Sequence, residues 1–305
     1  MATRPLAESF AIRSLRRLPL LRAYPALLDA RDQIRRLHQQ AHLLERDLTV
    51  ARQLATQHEL ALRSSQVTGS PGLVALPAFD EGRLAEIARA RASAYRSARP
   101  FPHLVEDGLF DAGVLERVMA EFDLMDRSGW DQVDATQERK TATNNPRQLG
   151  PFASSLIAQL NGGAFLNFLE NLTGITGLVS DPHLRGGGLH EIRRGGTLGV
   201  HADFNLHPRL KLYRRLNLLI YLNKDWNEAW GGALELWDGQ RCVRAISPLF
   251  NRAVLFDTSN FSYHGHPHAL DCPPDRSRKS VALYYYSLEC PSEADRTEHG
   301  TVFLK

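Results

Sequence analysis

The chain has 305 residues, of which 43% are hydrophobic and 23% are charged, values typical of a globular protein with a well-packed core. Its net charge of +3 is too small to indicate a nucleic acid or an anionic membrane as partner. Cys242, Cys272 and Cys290 lack the spacing of a disulfide framework or a zinc site, which favours a reducing, cytoplasmic location. No apolar run approaches the roughly 18 residues that a membrane span requires.

The N-terminal part of the chain is predicted to be helical. Between residues 31 and 63, apolar or small side chains recur at alternating spacings of three and four, which makes a heptad seam. The seam fits either a homodimeric coiled coil through residues 31–63 or a helix packed on its own domain. We assign residues 1–72 to this helical segment and residues 73–100 to a linker and a short helix that ends before Pro100.

After Phe101 the pattern changes. Residues 103–107 are typical of a strand, residues 112–122 of an amphipathic helix, and residues 156–172 of another helix that ends at Gly174. Beyond Ser180, short alternating segments separated by glycine pairs predict a β-sandwich or barrel. The predicted strands are 189–193, 197–203, 216–223, 233–237, 241–246, 253–257 and 279–288.

One triplet suggests a metal site. His201 and Asp203 are two residues apart, so on a strand both side chains project to the same side. With His264 from a neighbouring strand they form two imidazoles and one carboxylate, the ligand set of non-haem Fe(II) oxygenases. The chain has 12 histidines, so about one chance His-x-Asp is expected and the triplet alone is weak. His266 and His268 compete with His264, and are otherwise interpreted as loop histidines near the mouth of the site.

A longer series of motifs is more specific. Tyr221-Leu-Asn-Lys-Asp-Trp226 is followed by Gly231-Gly232 and then by Pro248-Leu-Phe-Asn-Arg252. With His201-x-Asp203 before them and His264 after them, these motifs resemble the Fe(II)/2-oxoglutarate dioxygenases of the prolyl 4-hydroxylase group. The order and spacing of the motifs, and not any one of them, carry the resemblance.

The resemblance implies a fold and a division of the chain. We expect a mainly β protein with flanking helices, in which a double-stranded β-helix (jelly-roll) core follows the helical, candidate coiled-coil N-terminal segment. The dioxygenase domain would span residues 101–290, and residues 291–305 would form a C-terminal tail.

The resemblance also implies roles for individual residues. His201, Asp203 and His264 would bind Fe(2+). Arg278-x-Ser280 resembles the pair that faces the distal carboxylate of 2-oxoglutarate, where a guanidinium can bind both oxygens. Tyr221 matches a tyrosine that hydrogen-bonds the same carboxylate, and Asn217 lies four residues earlier on the same strand face. Arg276 and Lys279 are the competitors of Arg278, and Tyr221 has a core aromatic as its alternative interpretation.

The implied activity is hydroxylation of an unactivated C–H bond, coupled to conversion of 2-oxoglutarate to succinate and CO2, with L-ascorbate as an expected cofactor. Related halogenases lack the carboxylate ligand, so the presence of Asp203 argues for hydroxylation. The substrate, a small molecule or a peptide, stays open. Two alternatives are a catalytically silent scaffold that acts through its N-terminal helix and a sugar-modifying cupin, although a cupin would leave the tyrosine and arginine motifs unexplained.

Weaker candidates surround the predicted iron site. His190 and Glu191 either face the substrate or are polar barrel residues. The basic run from Arg209 to Arg215 either attracts an acidic substrate or, as we favour, forms a solvated face.

Overall fold

The computed structural model describes a large part of the chain, namely residues 31–41, 76–125, 127–135, 138–145 and 148–304. Residues 31–41 are helical, carry exposed Ile34 and Leu37, and belong to a first compact unit that ends at Leu48. The rest of the heptad segment lies outside the described residues, so the coiled coil and the homodimer stay predictions. No helix in the described ranges is long and apolar enough to cross a membrane.

The second unit begins at Thr49 and contains four described α-helices and two short 3-10 helices, Glu228–Trp230 and Glu293–Asp295. The α-helices are α1 (Glu81–Ser97), α2 (Ala112–Leu124), α3 (Pro151–Leu160) and α4 (Gly163–Thr173). The first two start where an aspartate satisfies a free backbone N–H of the first turn: Asp80 accepts from Arg83, and Asp111 accepts from Val114. The last one ends at Gly174, which adopts the left-handed conformation that glycine tolerates.

The prediction of one helix over residues 156–172 is wrong, because the chain forms α3 and α4 there. Asn161 closes α3, and Gly162 has an extended backbone that begins α4. The apolar period continues across the break, but asparagine and glycine favour helix weakly, so the chain bends between two shorter helices.

Thirteen described strands form the β part of this unit. They are β1 (His103–Asp107), β2 (Asp131–Ala135), β3 (Glu138–Thr143), β4 (Val179–Ser180), β5 (Gly188–Arg193), β6 (Leu198–Ala202), β7 (Tyr213–Tyr221), β8 (Leu234–Trp237), β9 (Cys242–Ile246), β10 (Arg252–Asp257), β11 (Tyr263–His266), β12 (Ser277–Ser287) and β13 (Val302–Phe303). The alternation in the sequence locates most of these strands, but it does not delimit β2, β3, β4, β11 or β13.

The strands build one curled, mostly antiparallel sheet that resembles a double-stranded β-helix. One part has the order β1-β10-β7-β12-β5-β3, and the other has the order β6-β11-β8-β9. Strand β3 joins the two, because it pairs with β5 and also with β6 through Glu138 and Leu198. The sheet therefore folds over on itself and encloses a cavity between its two parts.

The two faces of the central strands β7 and β12 have different roles. Leu218 on β7 and Leu283 on β12 belong to the apolar core that also contains buried residues of all four helices. The alternate residues Asn217 and Ser280 line the cavity on the opposite face. Because side chains alternate along a strand, the same two strands bury a hydrophobic core on one side and present polar groups on the other.

Candidate functional site

The three predicted iron ligands lie together inside the curled sheet. His201 is on β6 and Asp203 follows the end of this strand, while His264 is on the adjacent strand β11. The antiparallel register pairs His264 directly with His201, and their ring centroids are 4.6 Å apart. Gly265, next to His264, has no side chain to obstruct this pairing: an added Cβ would lie 2.7 Å from two carbonyl oxygens of β6.

The donor atoms of this triad fit a divalent metal ion. One ligand atom from each residue lies within 4.8 Å of the other two. The Nδ1 atoms of His201 and His264 lie 2.8 and 2.9 Å from the backbone oxygens of Gly199 and Ser262, so each Nε2 can offer a lone pair.

The protonation states of His264 and Asp203 also suit metal binding. Burial lowers the pKa of His264 to about 4, against the partial opposing effect of Asp203, so the imidazole is neutral at physiological pH. Burial alone would raise the pKa of Asp203, but Arg214 and the two histidines outweigh it and hold that pKa well below its usual value. The carboxylate is therefore ionised.

A second set of contacts orients the Asp203 carboxylate. Its Oδ2 atom lies 3.0 Å from an Nη2 of Arg214 and accepts a 2.7 Å hydrogen bond from the amide of Asn217. Arg214 also donates from Nε to the Asn217 side-chain oxygen at 2.9 Å, and its guanidinium lies 3.5 Å from the centroid of the Tyr284 ring. Asn217 lines the cavity as predicted, but its amide group is engaged with Asp203 and Arg214.

The predicted anchor of the cosubstrate, Arg278, is buried in the same cavity. Its Nε donates to the backbone oxygen of Gly232 at 2.8 Å, and its Nη2 donates to the Tyr221 hydroxyl at 3.0 Å. Gly232 is required here, because it has a φ of +74° and an added Cβ would lie 2.5 Å from Leu270. Two fixed contacts thus hold the guanidinium in one orientation.

Tyr221 and Ser280 differ in their access to the cavity. Ser280 lies two residues after Arg278 on β12 and lines the cavity. Tyr221 is fully buried, is not among the residues that line the cavity in the described part of the chain, and contacts Arg278 through its hydroxyl. The geometry shows Tyr221 orienting the arginine; direct contact of this tyrosine with a carboxylate stays a prediction.

The cavity has a volume of about 360 Å³. The His-Asp-His triad and Arg278 line it, and the β2–β3 hairpin adds the charged residues Asp131 and Lys140. Arg185, from the loop before β5, lines it as well. Phe303 on β13 completes a wall: this strand pairs with β6, and the Phe303 ring centroid is 5.5 Å from that of His201. Charged groups at several points indicate a polar ligand.

His266 lies elsewhere than the sequence indicates. It is not a loop residue, because it occupies β11 two positions after His264, is 2% exposed and lines the cavity. Burial, followed by the charges of Arg278 and Lys140, lowers its pKa well below the usual value. His268, in contrast, is 85% exposed and lies outside the strand. The i, i+2 spacing from His264 was the available signal for the position of His266.

The two candidates on β5 project in opposite directions. His190 lines the cavity, with its Nε2 3.1 Å from the Gly186 oxygen, whereas Glu191 is buried on the other face. There Glu191 accepts from Arg127 at 2.7 Å and from the Ser277 hydroxyl at 2.8 Å. Glu191 is therefore a structural ion-pair residue rather than a cavity residue.

The basic run from Arg209 to Arg215, which leads into β7, is a solvated face only in part. Arg209 and Lys211 are exposed, but Arg214 is 2% exposed and reaches Asp203. A register shift opposite Tyr285 and Tyr286 interrupts the pairing of β7 and β12, so strict alternation does not hold at this point. Such an irregularity has no clear signal in a single sequence.

Comparisons with known proteins agree with this geometry. Residues 187–286 match the family model described as the 2OG-Fe(II) oxygenase superfamily. A search of curated proteins found no significant match.

Among solved structures, the chain is similar to a prolyl hydroxylase from Trichoplax adhaerens in complex with a hypoxia inducible factor oxygen degradation domain peptide fragment. The TM-score is 0.50 and the identity 15%, over 68% of this chain and 91% of that one. A prolyl 4-hydroxylase from Phytophthora capsici has a TM-score of 0.51 and 18% identity, over 72% and 69% of the two chains. These likenesses concern the fold. The matched segment contains all three residues of the His-Asp-His triad, so residues 187–286 are identified as a 2OG-Fe(II) oxygenase segment.

Proposed function

We propose that this protein hydroxylates an unactivated C–H bond with Fe(II) bound by His201, Asp203 and His264, while 2-oxoglutarate is converted to succinate and CO2. The observation that carries the proposal is that the three donor atoms, within 4.8 Å of one another, share a cavity with the buried Arg278. A metal triad and a fixed guanidinium in one cavity match a cosubstrate that has a chelating 2-oxo acid at one end and a carboxylate at the other.

Different residues of the cavity would bind the metal and the cosubstrate. His201, Asp203 and His264 would hold the metal and leave positions free for cosubstrate and oxygen. Arg214 and Asn217 both contact the Oδ2 atom of Asp203, so the carboxylate would keep one orientation when a metal binds. Arg278 supplies the positive charge for the distal carboxylate, and Tyr221 and Gly232 keep the guanidinium in place.

Two classes of substrate fit this cavity. A prolyl or other amino-acid residue of a peptide is one candidate, supported by the likeness to a prolyl hydroxylase bound to a peptide fragment. A small polar metabolite is the other, supported by the charged Asp131, Lys140 and Arg185 around the cavity and by β13, which covers the edge of β6 beside His201. Dependence on ascorbate, a cytoplasmic location and dimerisation through residues 31–63 are further proposals that rest on the sequence.

The binding step can be tested directly. Anaerobic protein that has received Fe(II) and 2-oxoglutarate should develop a weak metal-to-ligand absorption band, which His201→Ala should abolish. His268→Ala is the matched control, because that side chain is 85% exposed and lies outside the triad. An unchanged band in the His201→Ala protein would refute the ligand assignment.

The catalytic step needs its own measurement. Pools of peptides and of small polar metabolites, supplied with oxygen, should reveal the substrate by faster formation of succinate. A protein that binds Fe(II) but never consumes 2-oxoglutarate would instead support the silent scaffold.

A further inference from the structure

His266 is an unusual buried residue in this cavity. It is 2% exposed, and in the described part of the chain neither of its ring nitrogens has a hydrogen-bond partner. Its neighbour on the same strand face, His264, has an Nδ1 contact with the Ser262 oxygen, and His190 has a contact with the Gly186 oxygen. Buried polar groups are almost always paired, so an orphaned imidazole indicates a partner that arrives from outside the chain.

The missing partner of His266 can be defined chemically. A neutral imidazole carries one N–H donor and one acceptor, so it can donate to an anion. Arg278 lines the same cavity as His266, has only hydrogen-bond donors and cannot accept a hydrogen bond from the imidazole. Arg278 uses one N–H for Gly232 and one for Tyr221, which leaves other N–H groups for a ligand. A group that satisfies both residues must offer several acceptor lone pairs, as a carboxylate does.

We propose that His266 is a cosubstrate-binding residue, which donates a hydrogen bond to the distal carboxylate of 2-oxoglutarate while Arg278 binds the same carboxylate. The inference rests on the proposed function, since it requires 2-oxoglutarate in this cavity. His264 and His266 project from one face of β11, so a single strand supplies a metal ligand and, one pleat further, a contact for the far end of the chelating acid.

A purely structural role for His266 predicts something different. A structural histidine stabilises the protein through its contacts, so its replacement by leucine would lower the stability of the ligand-free protein. An unpaired buried imidazole costs stability instead, and leucine, which is similar in size and apolar, would leave the ligand-free protein as stable or more stable. The two interpretations therefore differ in the sign of the change in melting temperature.

The experiment compares His266→Leu, His266→Gln and the control His268→Leu in the full chain. The dissociation constants of two acids are measured anaerobically on the metal-loaded proteins: 2-oxoglutarate, and 2-oxopentanoate, which has a methyl group in place of the distal carboxylate. Loss of a hydrogen bond to a charged group should weaken 2-oxoglutarate binding roughly 10- to 100-fold in His266→Leu. Binding of 2-oxopentanoate should not change, and glutamine, which keeps a donor, should recover part of the affinity.

The affinities and melting temperatures together test the role of His266. Selective loss of 2-oxoglutarate affinity, with Mn²⁺ affinity and melting temperature at least equal to those of the wild type, supports the proposal. Equal losses for both acids, or wild-type affinity for 2-oxoglutarate in His266→Leu, would overturn the role of His266 and leave the proposed function intact. Absence of 2-oxoglutarate binding to the metal-loaded wild type would overturn both.

Discussion

The contact between Arg214 and Asp203 yields a quantitative prediction about metal binding. In the metal-free protein, Arg214 is the cation that compensates the buried Asp203 carboxylate, at 3.0 Å. Replacing Arg214 by leucine removes that compensating charge, and a bound divalent ion then takes its place. We expect the variant to be less stable without metal and to recover more stability than the wild type when metal is added.

The expected loss of unfolding free energy follows from the burial of the Arg214–Asp203 pair. The Arg214 side chain is 2% exposed and that of Asp203 is 12% exposed. Two unit charges about 4 Å apart attract each other by about 4 kcal/mol at an effective dielectric constant near 20. Removing one partner of a buried pair typically costs about 3–5 kcal/mol. For a domain of this size such a loss lowers the melting temperature by roughly 6–20 °C.

Thermal unfolding measured with EDTA and with saturating Mn²⁺ tests this prediction. Arg209→Leu is the matched control, since it removes an exposed arginine of the same basic run. Arg214→Lys, which keeps the charge but not the planar fork, should retain more stability than Arg214→Leu. The reasoning would be refuted if metal-free Arg214→Leu unfolded at the wild-type temperature, or if Mn²⁺ raised the melting temperature of both proteins equally.

Two further predictions concern the strands that hold the site and a buried carboxyl group. Gly265→Ala should abolish Mn²⁺ binding, measured by electron paramagnetic resonance, because its Cβ would lie 2.7 Å from two carbonyl oxygens of β6 and force the histidine-bearing strands apart. Gly163→Ala, whose Cβ would meet nothing within 4 Å, is the control, and wild-type affinity in Gly265→Ala would contradict the argument. Burial raises the pKa of Asp257 from 3.8 to about 6, although the Tyr95 hydroxyl donates to it. Because the folded pKa is the higher one, this group stabilises the fold at low pH and loses that contribution as the pH rises through about 6. In urea unfolding, Asp257→Asn should therefore become more stable relative to the wild type as the pH rises from about 4 to about 6. A stability difference that does not change with pH would show that Asp257 does not titrate as described.

Much of the architecture follows from local rules that a single sequence expresses. The boundaries of β1 agree with the predicted strand at residues 103–107, and α1 and α2 begin after aspartates that cap them. Period-two alternation locates β7 and β12, whose inner faces carry Asn217 and Ser280. These features depend on neighbours within a few residues, so their physical causes are present in the sequence itself.

Other features depend on contacts between distant residues. The β2–β3 hairpin and β13 are polar or very short, and they become strands because they pair with β5 and β6. The chain turns at Asn161 and Gly162, inside the helix predicted over residues 156–172. The sequence pattern misses this turn because the apolar period continues on both sides of it. Tertiary pairing decides such segments, since their local preferences are weak.

The sequence by itself predicted the candidate metal triad and the cavity arginine, because His201-x-Asp203, His264 and Arg278-x-Ser280 stand in a recognisable order. Only the tertiary structure decided which groups support them. The register shift in β7 brings Arg214 to Asp203, and the register of β11 with β6 places His264 opposite His201. Burial leaves both ring nitrogens of His266 without a hydrogen-bond partner among the described residues. Spacing along one strand is a local property, whereas the charge, hydrogen bonding and solvent exposure of a site are set by residues that come together when the sheet closes.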